Sequence, residues 1–420
     1  MAAVAVFAAT RAFIFFGFGQ FVTDVPIYHG AAMMGVRDGF SAYCDFWFPY
    51  PPFSLPLIYL PAFFSQSYDG YRQAFQLEMM AIDVATFFLL FRFLKDRLRV
   101  SHGLCAVTLS LYSLFGLSAP HLIFDRLDIA MSGLFLGAAY FYTSTGRTRW
   151  LSYVFLLAGA LVKLLPIFFI PLFCILDWHR ADDDAWPNPS RAWTAVLCVA
   201  IPFAAVIVGY NAFVCDQLIS HLSQHGVRGI QIESNWAMPL IVDKIINGSP
   251  TDVDYSYGAF HILAPGVPKL YLWLSKNVGF GLLIFYYGAL LRLFRKNIVQ
   301  TEKLKPYTVT MLLYGVILIL MTTQRVLSPQ YLIWMWPFAA IQFAVAVDRR
   351  AVVAGSVAIF GLTYLVFDVG FFEIIHFNPY FSPVLIARNI LLSLWAADTL
   401  RRGVRAIREN RRARLSEAIS

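Results

Sequence analysis

The sequence predicts an all-α protein threaded repeatedly through a membrane. Three observations carry this expectation. Of 420 residues, 59% are hydrophobic and only 14% charged, where a soluble domain carries about 25% charged residues. The mean hydropathy is +0.63. Apolar runs approaching the roughly 20 residues of a bilayer crossing recur along the whole chain. No polar stretch is long enough for a separate soluble catalytic domain. Residues 1–420 therefore read as a single integral membrane domain.

On the crossing rule, helices are expected near 4–22, 72–94, 102–119, 129–144, 150–162, 165–178, 192–214, 268–291, 307–323, 329–347, 351–368 and 383–400, about 12 in all. The first run lacks a basic n-region and a small-residue cleavage site, so it reads as a retained helix rather than a signal peptide. Arg11 within it is expected to snorkel or to face the helix bundle. The segment 53–64, FSLPLIYLPAFF, is too short to cross, and Pro56 and Pro61 interrupt it. It reads as a re-entrant or interfacial segment.

Lys and Arg set the orientation. With both termini inside, the cluster Arg92–Arg99, the pair Arg349 and Arg350 and the Arg-rich tail 401–420 all fall on the inner face. Counting 53–64 as a full crossing would send the Arg92–Arg99 cluster outside. The net charge of +8 thus belongs to topology and to contact with anionic lipid, and nucleic acid is not an expected partner. The acidic run Asp182–Asp184 reads as a solvated inner loop. The five cysteines, 44, 105, 174, 198 and 215, form no CxxC and no metal spacing, so no metal or cofactor is expected. Cys44 and Cys215 fall on one expected face, where a disulfide is open to them.

That orientation gives the outer face two long connections, 23–71 and 215–266, and short ones holding Asp125, Arg126 and Asp128, then Lys163, then Arg325. Charges at a membrane edge are functional candidates by default, although any one cation there also reads as a snorkelling helix end. Three returning to one face point to a shared anionic ligand. Arg grips phosphate oxygens bidentately and Lys serves as a point charge. The second long connection carries HLSQHGVRGIQIESNW, with His225 and Arg228; it reads equally as a loop packed over the bundle.

The outer face of a cell membrane has no nucleotide sugars, so a sugar transferase there needs a donor delivered on a lipid. A polyprenyl-phosphate sugar fits such a site, with its phosphate against Arg and Lys. Transfer requires a carboxylate to take the acceptor hydroxyl's proton and cations for the leaving phosphate. Asp24, directly after the first apolar run, is placed for the first task, and its competing reading is a helix cap. Asp45 is the other carboxylate of that connection in contention. Asp45 and His29 are candidates to orient Asp24 or to bind sugar hydroxyls, and the aromatics of Tyr43–Tyr50 to stack on a sugar ring.

Several motifs resemble one family. Asp24-Val-Pro-Ile-Tyr28, Tyr43-Cys-Asp45-Phe and Tyr50-Pro-Pro52 resemble the first outer loop of bacterial polyprenol-phosphate-mannose-dependent α-mannosyltransferases, glycosyltransferase family 87 of the GT-C superfamily. Lys163 in LVKLLPIFFIPL resembles that family's Lys-x-x-Pro step. Arg228 in RGIQIES and Ser328-Pro329-Gln330-Tyr331 resemble further recurrent elements. The resemblance runs from about residue 20 to 340 in the expected order. It implies a GT-C fold and an inverting, metal-independent transferase, with the first-loop Asp as general base, a role that carries over onto Asp24. The sequence departs from the pattern at 119–129, where APHLIFDRLDI replaces a Gly-Gln-x-Asn step of many members. A different donor or acceptor sugar would follow from that.

The expected activity is therefore transfer of a hexose, with mannose as the expected sugar, from a polyprenyl-phosphate donor to a lipid or glycan acceptor, on the outer face of the plasma membrane. Asp24 is the expected base. Lys163, Arg228, Arg325 and Arg126 are the expected phosphate ligands, with Asp45, His29, Tyr28, His225 and Gln330 in support. Two rivals remain at this stage. A lipid-linked sugar flippase or transporter would need polar groups in mid-helix, for which Asp83 and Lys163 are partial candidates. A non-catalytic subunit of a glycan-assembly complex would need none of these roles.

Overall fold

The computed structural model describes residues 1–21, 23–144, 148–178, 193–223, 226, 228–256, 258–297 and 304–419. His225 and Asp182–Asp184 lie outside the described residues. The elements in chain order begin with helices α1 (Ala2–Gly17), α2 (Val25–Ala32), α3 (Ser54–Tyr59), α4 (Tyr68–Arg92), α5 (His102–Phe115), α6 (Asp128–Tyr142) and α7 (Leu151–Val162). Then come α8 (Ile170–Trp178), α9 (Ile201–Phe213), α10 (Leu218–Ser223), strand β1 (Ile230–Gln231), α11 (Met238–Asn247), β2 (Asp252–Ser256) and β3 (Ala259–Leu263). The chain closes with α12 (Lys269–Asn297), α13 (Pro306–Thr323), α14 (Trp336–Val345), α15 (Arg349–Tyr364), α16 (Phe371–Ile375) and α17 (Ser382–Ile419).

Among the described residues, five helices are long and apolar enough to cross a membrane: Val196–Phe213, Lys269–Arg295, Pro306–Thr323, Arg349–Val369 and Ser382–Glu409. The chain is a mostly helical, polytopic membrane protein. Several expected helices are divided where the sequence carries proline. The 165–178 run becomes a tight turn at Leu165–Phe169 followed by α8, and 329–347 becomes Pro329–Met335 followed by α14. Proline lacks the N–H and blocks the turn before it. The last helix, expected to stop near 400, instead runs on through the basic tail to Ile419. Ion pairs one turn apart, Arg402 with Asp398 and Arg405 with Glu409, accompany that continuation. Ser67 and Ser101 cap α4 and α5, each accepting a backbone N–H from the first turn.

The chain forms two compact units. The first comprises Met1–Ile167 and Val196–Arg228, the second Phe168–Ala195 and Gly229–Ser420. Within the first, Arg11 does not snorkel. It is buried, donating from Nε to Asp83 Oδ2 at 2.6 Å and from Nη1 to Ser113 O at 2.6 Å, while Tyr112 donates to Asp83 Oδ1 at 2.6 Å. One charge from α1 is thus matched by one from α4, and both by groups on α5. Gly116 allows the approach, since a Cβ there would overlap the Arg11 guanidinium. Asp83 is 0% exposed, so removing its partner strands a buried carboxylate. Arg11→Met is expected to cost about 3–5 kcal/mol, seen as a lower thermal midpoint in detergent. Adding Asp83→Asn to it is expected to recover part of the loss.

The second unit holds a three-stranded antiparallel sheet of order β1-β3-β2, with Val253 and Ile230 both opposite Ile262. Ile230, Ile232, Ile241 and Ile262 pack with Val366, Ile374 and Leu385. The all-helical expectation did not include this sheet. The Asn235 amide donates to Thr322 O at 2.7 Å and the Trp236 indole to Thr323 O at 2.8 Å, which fixes the 231–236 turn on the end of α13.

Candidate active site

The polar connection after α1 is an ordered structure. Asp24 stands at the start of α2, with Pro26 in the first turn where its missing N–H costs nothing. The Asp24 backbone carbonyl takes the N–H groups of Ile27 and Tyr28, but its side chain makes no capping bond. The carboxylate points elsewhere. Tyr50 donates to its Oδ2 at 2.7 Å, and Arg126 forms an ion pair with the same oxygen. Tyr28 donates in turn to the Tyr50 hydroxyl at 3.2 Å. Asp24 is 7% exposed.

Burial, followed by the neighbouring Asp24 charge, holds the Tyr50 phenol well above its ordinary pKa. Tyr50 is therefore a neutral hydroxyl at physiological pH and a hydrogen-bond donor. Desolvation works against the Arg126 charge, but Asp24, Tyr28 and Tyr50 outweigh it, and the guanidinium pKa moves up. Arg126 stays charged beside Asp24.

Arg126 belongs to a short segment that distributes charge in three directions. Asp125 accepts from Arg72 at 2.9 Å and from Gln76 at 2.7 Å. Arg126 turns to Asp24. Asp128, at the start of α6 where the helix dipole favours a carboxylate, accepts from Lys163 at 2.7 Å. Lys163 follows the last residue of α7 in extended conformation, and Pro166 keeps the helix from resuming at once. Its ammonium also lies 5.9 Å from the centre of the Tyr50 ring. The backbone N–H of Phe53 donates to Leu161 O at 3.1 Å, which joins the Tyr50-Pro-Pro52 stretch to the end of α7. Asp24, Tyr28, Tyr50, Arg126, Asp128 and Lys163 thus form one buried cluster drawn from four parts of the sequence.

The other expected residues are placed differently. His29 bonds through Nε2 to Gln66 O at 2.9 Å and packs against Tyr68 and Tyr71. Asp45 is exposed and accepts the Ser41 N–H at 2.7 Å, closing its own turn. Orienting Asp24 therefore falls to Tyr50 and Arg126 rather than to His29 or Asp45. Tyr43 is fully buried, with φ of 71°, a left-handed conformation that an aromatic residue rarely adopts. Its ring meets Tyr210, and its hydroxyl donates to Tyr50 O. The Tyr43 and Tyr50 rings are built into the protein, an interior use that their pattern in sequence does not separate from sugar stacking. Arg228 is half-buried in the first unit. Arg325 and Gln330 are buried in the second, where the Arg325 carbonyl accepts the Gln231 N–H at 2.9 Å and burial lowers the pKa of its guanidinium.

At the level of sequence Tyr50 was expected only as a stacking aromatic, Asp128 was a membrane-edge charge without a stated role, and Arg72 and Gln76 went unassigned. Asp128 had a signal available, since carboxylates flank Arg126 in FDRLD and cations so placed are apt to be paired. Tyr50 had none beyond its motif.

Residues 47–239 match the model of glycosyltransferase family 87. Over that span, just under half of the chain, the sequence is similar to glycosyltransferase family 87. The matched span takes in Tyr50, Arg126, Asp128, Lys163 and Arg228, and stops before Arg325; Asp24 precedes it. No curated protein matches the chain. The matched span therefore includes Tyr50 and Arg126, the two side chains that hold the Asp24 carboxylate.

Proposed function

We propose that the chain is a family 87 glycosyltransferase that moves a hexose, with mannose as the first sugar to test, from a polyprenyl-phosphate donor to a lipid or glycan acceptor on the outer face of the plasma membrane. In this reading the chain crosses the bilayer about 12 times, with 53–64 at the interface and both termini in the cytoplasm. The observation that carries the proposal is the state of Asp24, a buried carboxylate left out of helix capping and held on one oxygen by Tyr50 and Arg126. Both contacts fall on Oδ2, which leaves Oδ1 to receive a proton. The acceptor oxygen attacks the anomeric carbon and its proton passes to Asp24. The bond from that carbon to the phosphate oxygen breaks, and its electron pair leaves with the polyprenyl phosphate. Attack opposite the leaving group inverts the anomeric centre.

The leaving phosphate needs cations. Arg126, already beside Asp24, stands where it can be shared between carboxylate and phosphate. Lys163, an ammonium beside the same cluster, is the second cation of the proposed set. Arg228 has no ion pair among the described residues, and Arg325 completes the proposed set. Arg228→Gln is expected to raise the donor Kd about 10- to 100-fold, the loss of one hydrogen bond to a charged group, with little change in thermal midpoint. Donor affinity unchanged in both Arg228→Gln and Arg325→Gln would remove the clamp from the proposal. In this reading the two mid-helix candidates for transport serve as structural ion pairs, Asp83 with Arg11 and Lys163 with Asp128. The direct test incubates purified protein with a polyprenyl-phosphate mannose and a lipid acceptor; a new glycosidic bond supports transfer, and labelled lipid moved without one refutes it.

A further inference from the structure

Cys44 occupies the tight turn in which Ser41 O accepts the N–H groups of both Cys44 and Asp45. Its thiol donates to Val214 O at 3.2 Å, across 170 residues of sequence. Cys215 is the next residue, its N–H bonded to Tyr210 O at 2.9 Å, so the Cys44 thiol lies against the backbone of the residue that directly precedes the second cysteine. The two segments are already packed together, with the Tyr43 ring 5.5 Å from Tyr210 and 6.1 Å from His221, centre to centre. Both lie in the first unit. All five cysteines are reduced in the structure.

We propose that Cys44 and Cys215 become a disulfide in the mature protein, fastening the 41–50 strap to the segment that follows α9. The oxidant is a disulfide of a thiol-exchange protein. The thiolate of Cys44 attacks one sulfur of that disulfide, and the other sulfur leaves as a thiolate and takes up a proton. The thiolate of Cys215 then attacks Cys44 Sγ in the mixed disulfide and expels the second oxidant thiol. Two electrons and two protons pass from the cysteine pair to the oxidant, which ends as a dithiol. Desolvation first, and the Cys215 thiol second, push Cys44 up to about 11.

The strap matters to the site. Tyr43 donates to Tyr50 O, and Tyr50 holds Asp24, so a bond at Cys44 limits how far this chain of contacts can drift. The crosslink itself does not depend on the transferase reading. The test uses the full-length protein in detergent, incubated with oxidised glutathione, denatured, blocked with N-ethylmaleimide and digested without reductant. Expected are the loss of two maleimide adducts relative to the reduced protein and a linked peptide pair containing Cys44 and Cys215, with Cys105 still labelled. Cys44→Ser is expected to abolish the linked pair. Maleimide on both Cys44 and Cys215 after oxidation, or Cys215 joined to a different cysteine, would overturn the proposal.

Discussion

Asp24→Asn protein, supplied with a polyprenyl-phosphate sugar and acceptor, is expected to transfer about 10²- to 10⁴-fold more slowly than wild type, the usual contribution of a positioned general base. The amide keeps the shape of the side chain and its bond with Tyr50, but it cannot accept a proton at neutral pH. The substitution also removes the counter-charge of Arg126, a buried guanidinium paired with Asp24. Breaking one side of a buried pair costs about 3–5 kcal/mol, so lost activity alone would not separate a missing base from a damaged fold. The double variant Asp24→Asn with Arg126→Met leaves no stranded charge and is expected to recover most of the thermal midpoint while transfer at saturating donor stays low, the donor Kd reporting separately the loss of Arg126 as a phosphate ligand. A companion variant, Asp45→Asn, is expected to keep near-normal turnover, because Asp45 is exposed and closes its own turn. Activity lost with Asp45 and retained with Asp24 would reverse the assignment of the base.

The membrane class and most helices were legible from apolar runs alone, because burial in lipid leaves its mark on every residue of a crossing. The sheet at 230–263 was not. Its strands are two and five residues long, too short for alternation to rise above a polar connection. Helix ends also moved, as at α17, where a basic stretch that reads as a tail continues the helix. The site was half legible. Asp24, Arg126 and Lys163 were singled out for chemical type and for place along the chain, and the structure puts all three in one cluster. What sequence could not give is which carboxylate each cation meets. Asp24 and Arg126 come from separate connections, as do Arg11 and Asp83 from separate helices, and composition makes every cation look equally available for a ligand. Pairing is a property of packing. It changes the chemistry expected of a residue, since a phosphate recruiting Arg126 must compete with Asp24. The segment 119–129, where the chain departs from the pattern of many members, is also the one that supplies Arg126 and Asp128.

Lys163 puts that competition to the sharpest test. Asp128 is 0% exposed and receives the ammonium at 2.7 Å, so Lys163→Met leaves a buried carboxylate with its main counter-charge gone. The expected loss is about 3–5 kcal/mol, read as a lower midpoint in a detergent melt. If Lys163 also contacts the donor phosphate, two effects are mixed in that variant, and the second replacement separates them. Asp128→Asn in the Lys163→Met background removes the stranded charge and is expected to restore much of the stability, because a buried neutral amide costs far less than a buried unpaired carboxylate. Donor affinity is expected to remain about tenfold weaker in the stable double variant, the effect of about 1.4 kcal/mol lost at the phosphate. Recovery of both stability and donor affinity would make Lys163 a counter-ion for Asp128 alone. The phosphate would then rest on the arginines, and the Lys-x-x-Pro step would serve to bring α7 against Asp128 rather than to hold a ligand.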